Sequence, residues 1–222
     1  MHITVAKHKI QKYILSYLTY HHTARFRDLK PPKVTTNLFS YHLKLLVNGG
    51  MIDRDDDGYT LSTLGLAYAD RVNEERRVVY QQPKIITMFI IQNSNGDLLL
   101  QKRMKQPYID TWNLPNGKIH IDDESIVAGA RRVMNKKLNI NKQDIKHAGD
   151  CYIRINQGDA PISIAFAHIF TFNRDDFPID SNTKWVQPHK LHNLELAPAV
   201  ERITARTFFR DPFFFEEFEE SW

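Results

Sequence analysis

Residues 111–140 read TWNLPNGKIHIDDESIVAGARRVMNKKLNI, and this stretch decides the fold. Its second half repeats apolar residues at intervals of three and four, which is typical of a helix with one buried face. We therefore predict a helix here, preceded by two short strands around a tight turn at Asn116 and Gly117. The expected buried positions are Ile126, Val127, Ala130, Val133, Met134 and Leu138.

Three acidic residues, Asp122, Asp123 and Glu124, lie where the first turn of this helix is expected. Carboxylates are favourable there because the N-terminal end of a helix dipole is positive. Upstream, the run LLLQKR at residues 98–103 predicts a half-buried strand that ends in charge. The block therefore combines a cationic strand end with an acidic helix start.

The pattern around this helix resembles the Nudix family, whose signature reads G-x5-E-x7-R-E-U-x-E-E-x-G-U, with U a bulky aliphatic residue. Gly117 stands for the first glycine, Glu124 for the first glutamate one residue late, and Arg132 follows Glu124 at the family spacing. The resemblance implies a structural ion pair between Arg132 and Glu124. Beyond Arg132 the pattern changes, because Val133, Lys136, Lys137 and Asn139 replace the remaining glutamates and the glycine.

The change to Lys136 and Lys137 bears on the chemistry. Nudix hydrolases bind divalent cations with the helix carboxylates at these positions, and the metal activates water. Two like charges at ~4 Å in a surface environment cost about 4 kcal/mol before screening, so lysines there repel a cation. We predict no catalytic residue, no metal site and no cofactor. Two alternatives remain: a helix that binds nothing, and catalysis through a relocated carboxylate.

The same lysines attract a diphosphate, so we expect the cleft beside the helix to bind a nucleotide or a sugar phosphate. Arginine can neutralise such a group with two parallel hydrogen bonds, and tryptophan can stack on a base. The candidate ligand-binding residues are Lys102, Arg103, Trp112, Lys136, Lys137 and Trp185.

The first 80 residues predict a different unit. We predict five elements in order. They are a helix with an apolar stripe, a short helix at residues 26–29, a third helix after Thr35, a hairpin with an Asp-Gly turn, and a closing helix at residues 63–77. This order of elements, together with the sequence SYHLKLLVNGGMIDRDDDGYTLSTLG, resembles winged helix-turn-helix domains of the MarR and ArsR type. The resemblance implies that the third helix enters the major groove of double-stranded DNA.

The candidate DNA-binding residues follow from that resemblance. Residues 1–50 carry eight lysines and arginines against the single acid Asp28, as a polyanion-binding surface requires. The predicted wing tip, residues 55–57, is instead three aspartates, so a protein-interaction or dimerisation module is the alternative. The candidates are Thr35, Thr36, Asn37, Ser40, Tyr41, Lys44 and Arg54.

Residues 84–207 carry the Nudix resemblance, with further strands and a final helix near Pro198. Residues 208–222 form an aromatic and acidic tail. We expect this tail either to bridge two subunits or cap the ligand cleft, or to form a helix that packs on its own domain. The predicted domains are thus 1–79, 84–207 and 208–222. The fold class is two-domain α+β: a winged helix-turn-helix followed by a Nudix-like α/β/α sandwich with a mixed sheet.

Composition sets the remaining expectations. The chain has 222 residues, one cysteine and a net charge of +4, and it contains no long apolar run or cleavage site. We expect a cytoplasmic protein without a disulfide or a membrane segment. The whole resembles Nudix-related transcription regulators that respond to sugar nucleotides such as ADP-ribose, with the domain order reversed, and we expect a homodimer. The alternative is a Nudix hydrolase of a nucleoside diphosphate derivative with an appended winged helix.

Overall fold

A computed structural model describes residues 8–70, 72–73, 78–79, 82–141, 144–208 and 213–222. The chain divides into two compact units, Met1–Gln81 and Gln82–Trp222. Within the described ranges, every helix is too short or too polar to cross a membrane.

The described residues of the first unit form three helices and two small antiparallel sheets. Strands β1 and β2 form a hairpin, and β3 pairs with β4. The apolar sides of the helices and the hairpin enclose one core, in which Ile14, Leu29 and Phe39 are fully buried. The elements are α1 (Lys9–Thr19), α2 (Thr36–Asn48), β1 (Ile52–Arg54), β2 (Tyr59–Leu61), α3 (Thr63–Ala69), β3 (Val72–Asn73) and β4 (Val78–Val79).

The ends of α2 follow from its flanking residues. Thr35, one of two threonines expected from the sequence as the N-cap, is the N-cap residue, and the helix ends at Asn48 with Gly49 as its C-cap. Gly50 then has a φ of 68°, which glycine adopts without the steric cost that a side chain would bring. This sharp end turns the chain directly into β1.

Two predictions for this unit were wrong. Residues 26–29 form a turn, because a single helical hydrogen bond, from Leu29 N to Arg25 O, closes before Pro31 and Pro32 interrupt the chain. The closing helix ends at Ala69, whereas we expected it to reach residue 77. Valine is stiff at χ1 and favours strands, which agrees with the short β3 and β4 pair that follows.

The second unit is built on an eight-stranded mixed sheet with the order β11-β6-β5-β10-β9-β12, to which β7 and β8 attach beside β6 and β5. Strand β10 runs parallel to β5 and β12 runs parallel to β9, while the other pairs are antiparallel. The elements are β5 (Lys84–Gln92), β6 (Leu98–Lys102), β7 (Trp112–Asn113), β8 (Asn116–Lys118), α4 (Ile126–Leu138), β9 (Lys146–Gln157), β10 (Ala160–Asn173), β11 (Thr183–Val186), a 3-10 helix (Pro188–Asn193), α5 (Val200–Thr207) and β12 (Phe214–Ser221).

Each face of this sheet carries its own core. On one face, Phe89, Phe170 and Val133 pack in the cluster that α4 covers. On the other face, Leu100, Ile169 and Ile203 belong to the cluster that α5 and the 3-10 helix cover. Helices on both faces of a mixed sheet give the α/β/α sandwich that the sequence predicted.

Two local predictions for this unit were wrong. Asn116 and Gly117 lie inside β8, paired with β5, and do not form a turn. A Cβ on Gly117 would lie 2.6 Å from Val133 Cγ1, so this glycine is needed for the close approach of α4 to the strand. Residues 214–221 are neither a helix nor a separate tail, because they complete the sheet as β12.

Candidate functional site

Helix α4 begins later than predicted. Ser125 is its N-cap, and the side-chain oxygen of Ser125 accepts a hydrogen bond from Ala128 N at 3.1 Å. The acidic run therefore lies before the helix and not in its first turn. Ile126 and Val127, expected in the core, are each 39% exposed. The other four predicted core positions are buried: Ala130, Val133, Met134 and Leu138.

An ion pair between Asp123 and Arg132 connects the segment before α4 to the middle of the helix. Arg132 donates from Nε to Asp123 Oδ1 and from Nη2 to Asp123 Oδ2, both at 2.6 Å. His120 N also donates to Asp123 Oδ2 at 2.7 Å. These hydrogen bonds, the one from Arg132 first, hold the pKa of Asp123 well below its ordinary value.

The expected partner of Arg132 was Glu124, and this prediction was wrong. Glu124 is exposed, whereas the Asp123 side chain is only 7% exposed. The turn from His120 to Asp123 aims the aspartate at the helix. Gly129 leaves room for it, because a Cβ there would lie 2.8 Å from Asp123 Oδ2. Asp123 also stands six residues after Gly117, the spacing of the family signature, which is the signal that we missed.

A cleft of about 500 Å³ lies beside α4 and β8. Its apolar surface includes Ile86, Met88 and Ile153, and its rim is strongly basic. None of the described lining residues is an aspartate or a glutamate. The seven cationic lining residues are Lys84, Arg103, Lys105, Lys118, Arg132, Lys136 and Lys137.

Besides Arg132, three of these cations are held in place by hydrogen bonds. Lys84 Nζ donates to Ser163 Oγ at 2.8 Å, Lys137 Nζ donates to the Asn116 carbonyl, and Arg103 Nε donates to the Pro107 carbonyl. Burial lowers the pKa of Lys84 and Lys137, and neighbouring cations lower both pKa values further. Burial also lowers the pKa of Arg103. An anion in the cleft would relieve this repulsion among fixed positive charges.

The structure brings together three of the six predicted ligand-binding residues, Arg103, Lys136 and Lys137. Lys102 faces a smaller hollow of about 200 Å³ and pairs with Asp110 at 3.0 Å. Trp112 and Trp185 are not among the described residues that line the cleft. Trp112 packs against the α5-side core with Lys184 Nζ 3.8 Å above its ring, and Trp185 packs against the α4-side core.

Four of the cationic lining residues were not predicted from the sequence as ligand-binding residues. They come from β5, the loop after β6, β8 and the middle of α4, so no spacing along the chain connects them. Strand alternation was a weak signal for Lys84 alone, since it puts this lysine on the same side of β5 as the lining residues Ile86 and Met88. The four are Lys84, Lys105, Lys118 and Arg132.

In the first unit, the predicted DNA-binding residues lie mostly on the exposed side of α2. Six of them line up along or just before the helix, and only Ser40 among the six is half-buried. Arg54 lies on β1, with its guanidinium 5.6 Å from the centre of the Tyr59 ring. The exposed five are Thr35, Thr36, Asn37, Tyr41 and Lys44.

A hollow of about 620 Å³ separates α2 from the hairpin. It brings together Ser40, Lys44 and Arg54, with Arg25 also in its lining and the three aspartates 55–57 on the hairpin side. Asp55 Oδ1 accepts hydrogen bonds from the backbone N–H groups of Asp57 and Gly58, which closes the turn. Asp55 thus has a structural role, which leaves Asp56 and Asp57 as the acidic tip.

Comparison with known proteins decides the family. The family model described as the NUDIX domain matches residues 82–207, more than half of the chain. The chain belongs to the NUDIX family. No curated protein matches it at a significant level.

Solved structures of Nudix proteins are similar to the second unit. The MutT protein from Bacillus halodurans matches with a TM-score of 0.50 and 17% identity, over 61% of this chain and 89% of that chain. The NUDIX domain of Shewanella oneidensis NrtR, complexed with ADP ribose, has a TM-score of 0.48 and 18% identity, over 65% and 97%. The MutT protein from Methanosarcina mazei has a TM-score of 0.45 and 25% identity, over 59% and 96%. The first of these likenesses shows a shared Nudix fold.

The Nudix family implies a divalent cation in this cleft, and the lining residues do not fit one. Magnesium and manganese require hard oxygen ligands, chiefly carboxylates. Lys136 and Lys137 occupy the expected helix positions, and both line the cleft. Asp123, the acidic residue at the signature spacing from Gly117, has both carboxylate oxygens engaged by Arg132. The donor set is therefore suited to an anion.

Proposed function

We propose that the protein is a DNA-binding transcription regulator whose Nudix domain binds a phosphorylated, nucleotide-like ligand and does not cleave it. One observation carries the ligand-binding half of the proposal: seven cationic side chains and no carboxylate among the described residues that line the cleft. Phosphate groups carry the complementary charge, and Arg103 can bind one with two parallel hydrogen bonds. Because the described lining holds no carboxylate, a divalent cation lacks there the hard anionic ligands that would hold it and activate water.

The rest of the cleft supports a ligand larger than free phosphate. Its volume of about 500 Å³ is typical of a small-molecule site. Ile86, Met88 and Ile153 offer an apolar surface for a flat group. Asn113 lines the same cleft, and its buried Oδ1 accepts no hydrogen bond from the described residues. A buried acceptor of this kind favours a ligand with an N–H donor, as in a base.

Calorimetric titration in EDTA tests the ligand. ADP-ribose, nucleotides and sugar phosphates form the panel, and binding by at least one of them is expected to survive chelation. The Lys105→Ala/Lys136→Ala double variant is expected to bind that ligand at least about 100-fold more weakly, because it loses two charge-assisted hydrogen bonds that contribute roughly 1.5–3 kcal/mol each. Both side chains are exposed, so their loss should leave the fold intact.

The matched control is the Lys146→Ala/Lys190→Ala double variant. It removes the same charge from exposed positions that lie outside the cleft lining, and it should bind as the unaltered protein does. An equal loss of ligand affinity in both double variants would show that the weakening comes from the change in net charge and not from the cleft. Turnover that depends on magnesium or manganese would instead favour the hydrolase, and the absence of binding at millimolar concentration would leave the domain without this role.

The element order of the first unit supports the DNA-binding half. Helix α1, the turn at 26–29, helix α2 and the β1–β2 hairpin follow in the order of a winged helix-turn-helix, with α2 as the recognition helix. Asn37, Tyr41 and Lys44 are exposed on α2 at intervals that keep them on one side. The acidic hairpin tip is repelled by phosphate, so we expect the wing to contribute Arg54 at most.

DNA binding is expected to weaken steeply as salt rises, because each phosphate contact releases counterions. We expect a homodimer on a pseudo-palindrome whose half-sites lie about one helical turn apart. In fluorescence anisotropy, Lys44→Ala should weaken binding to all sequences alike and reduce the salt slope by about one. Asn37→Ala should instead cost roughly 1–3 kcal/mol of discrimination between sites.

Lys9→Ala is the control for this experiment, because Lys9 is an equally exposed lysine on α1. It should retain the affinity of the unaltered protein. Binding that is independent of salt, or the same loss with Lys9→Ala as with Lys44→Ala, would argue that the first unit contacts protein and not DNA.

A further inference from the structure

Three side chains that can bind a metal meet on one face of the sheet. His147 and Asp150 lie on β9, and His168 lies on the neighbouring strand β10. Asp150 Oδ1 is 2.7 Å from His147 Nε2 and 2.7 Å from His168 Nδ1. One ligand atom from each residue lies within 4.8 Å of the other two.

A β-bulge causes this convergence. His168 pairs with Asp150 across the strands, and regular pairing would place Phe170 opposite Ala148. The register shifts between Ile169 and Phe170, so Phe170 instead faces His147. Bulges insert an extra residue and re-aim the side chains around it. This one turns His147 toward the same face as Asp150 and His168.

The surroundings hold the three groups in place and leave a path to solvent. The His147 ring stacks on Phe170 with centroids 4.9 Å apart, and Phe213 meets it edge-on at 5.2 Å. Phe166 meets His168 edge-on at 5.3 Å. The side chains of His147, Asp150 and His168 are 32%, 19% and 8% exposed, so the cluster lies just below the surface.

We propose that His147, Asp150 and His168 form a binding site for a first-row divalent cation, best suited to zinc. Two imidazoles and one carboxylate are a donor set that zinc accepts, with a fourth position for water or another ligand. Zinc bonds of roughly 2.0–2.2 Å in a tetrahedron separate neighbouring ligand atoms by about 3.3 Å. Asp150 Oδ1 already lies 2.7 Å from each imidazole nitrogen, and all three ligand atoms lie within 4.8 Å of one another, so small side-chain rotations reach that spacing.

This site is separate from the Nudix cleft. Ile153 and Ile155 of β9 line the cleft from one face of the strand, and Asp150 points to the other face because side chains alternate. None of the three proposed ligands is among the described residues of the cleft lining. The cation therefore stabilises the β9–β10 pair and takes no part in binding the anionic ligand.

Metal titration of the full chain tests the site. After treatment with a chelator and its removal, the protein is expected to bind one equivalent of zinc in calorimetry and to show the visible absorption of tetrahedral cobalt when cobalt replaces zinc. His147→Ala and Asp150→Asn should each weaken zinc binding at least 10-fold and abolish the cobalt band. Asp150→Asn keeps the shape of the side chain, so it remains informative if His147→Ala folds poorly.

The control removes two exposed histidines of the same domain, in His189→Ala/His192→Ala. It should bind zinc and cobalt as the unaltered chain does. The proposal is overturned if the unaltered protein binds no stoichiometric zinc, if both single variants bind as tightly as it does, or if the control loses the metal to the same extent.

Discussion

Phe218→Ala is expected to destabilise the Nudix domain by about 3–5 kcal/mol, the usual cost of truncating a buried phenylalanine. Phe218 is 3% exposed in the core below α5, and its ring lies 4.5 Å beneath the Arg202 guanidinium. Its loss leaves a cavity between β12 and that helix. All three tryptophans belong to the second unit, so unfolding in denaturant followed by tryptophan fluorescence reports on this domain alone.

Phe215→Ala is the matched control for that experiment. It removes the same ring from the same strand, but Phe215 is 56% exposed, and the expected change is within about 1 kcal/mol. A large difference between the two variants shows that β12 packs on the domain by one face. Equal shifts in the unfolding midpoint would contradict the placement of β12 in the sheet.

Arg132→Ala is expected to cost on the order of 2–3 kcal/mol at pH 7, measured in the same way. This lies below the range for a fully buried pair, because the Arg132 side chain is 32% exposed and His120 N still donates to Asp123. The variant removes both hydrogen bonds from the guanidinium and leaves a largely buried carboxylate with less compensation.

The effect of Arg132→Ala is expected to shrink in acid. Because the folded state lowers the pKa of Asp123, the ion pair stabilises the domain fully above the ordinary carboxyl pKa of 3.8. That contribution begins to fall below 3.8 and is lost only as the pH falls through the lower pKa of the folded state. The difference between the unfolding midpoints of the two proteins should therefore stay constant at pH 7, 5 and 4 and shrink at pH 3 and below. Glu124→Gln is the control, since that carboxylate is exposed, and it should match the unaltered chain at every pH. Destabilisation by Glu124→Gln alone would restore the pairing first expected from the sequence.

Periodicity predicted the main elements well and the fine pairing poorly. The repeat in residues 126–138 gave α4 and four of its buried positions, because a helix must bury one stripe against the sheet. It did not show where the helix begins. Ser125 provides the N-cap, so Ile126 and Val127 fall in a first turn that is open to solvent. That Asp123 and not Glu124 pairs with Arg132 likewise depends on the turn before the helix, which no periodic pattern in the sequence predicts.

The sites were less predictable than the fold for a similar reason. The chemistry of the cleft was indicated by Lys136 and Lys137, which replace residues of a known signature. The other cations come from segments far apart in the chain, and only the sheet order brings Lys84 and Lys118 to one cleft. A β-bulge brings His147 to the same face of the sheet as His168, because it shifts the pairing of β9 with β10 by one residue. Such a shift cannot be predicted from the pattern of apolar residues in the sequence.

The glutamates of β12 have a consequence for how the protein behaves at high concentration. An edge strand presents unpaired backbone groups that can recruit another strand, and natural proteins oppose this with charge. Strand β12 ends the sheet and carries four glutamates in eight residues. Two such edges brought together would place negative charges opposite one another, which disfavours sheet extension from molecule to molecule. The glutamates of β12 thus oppose fibrous aggregation through this edge of the sheet.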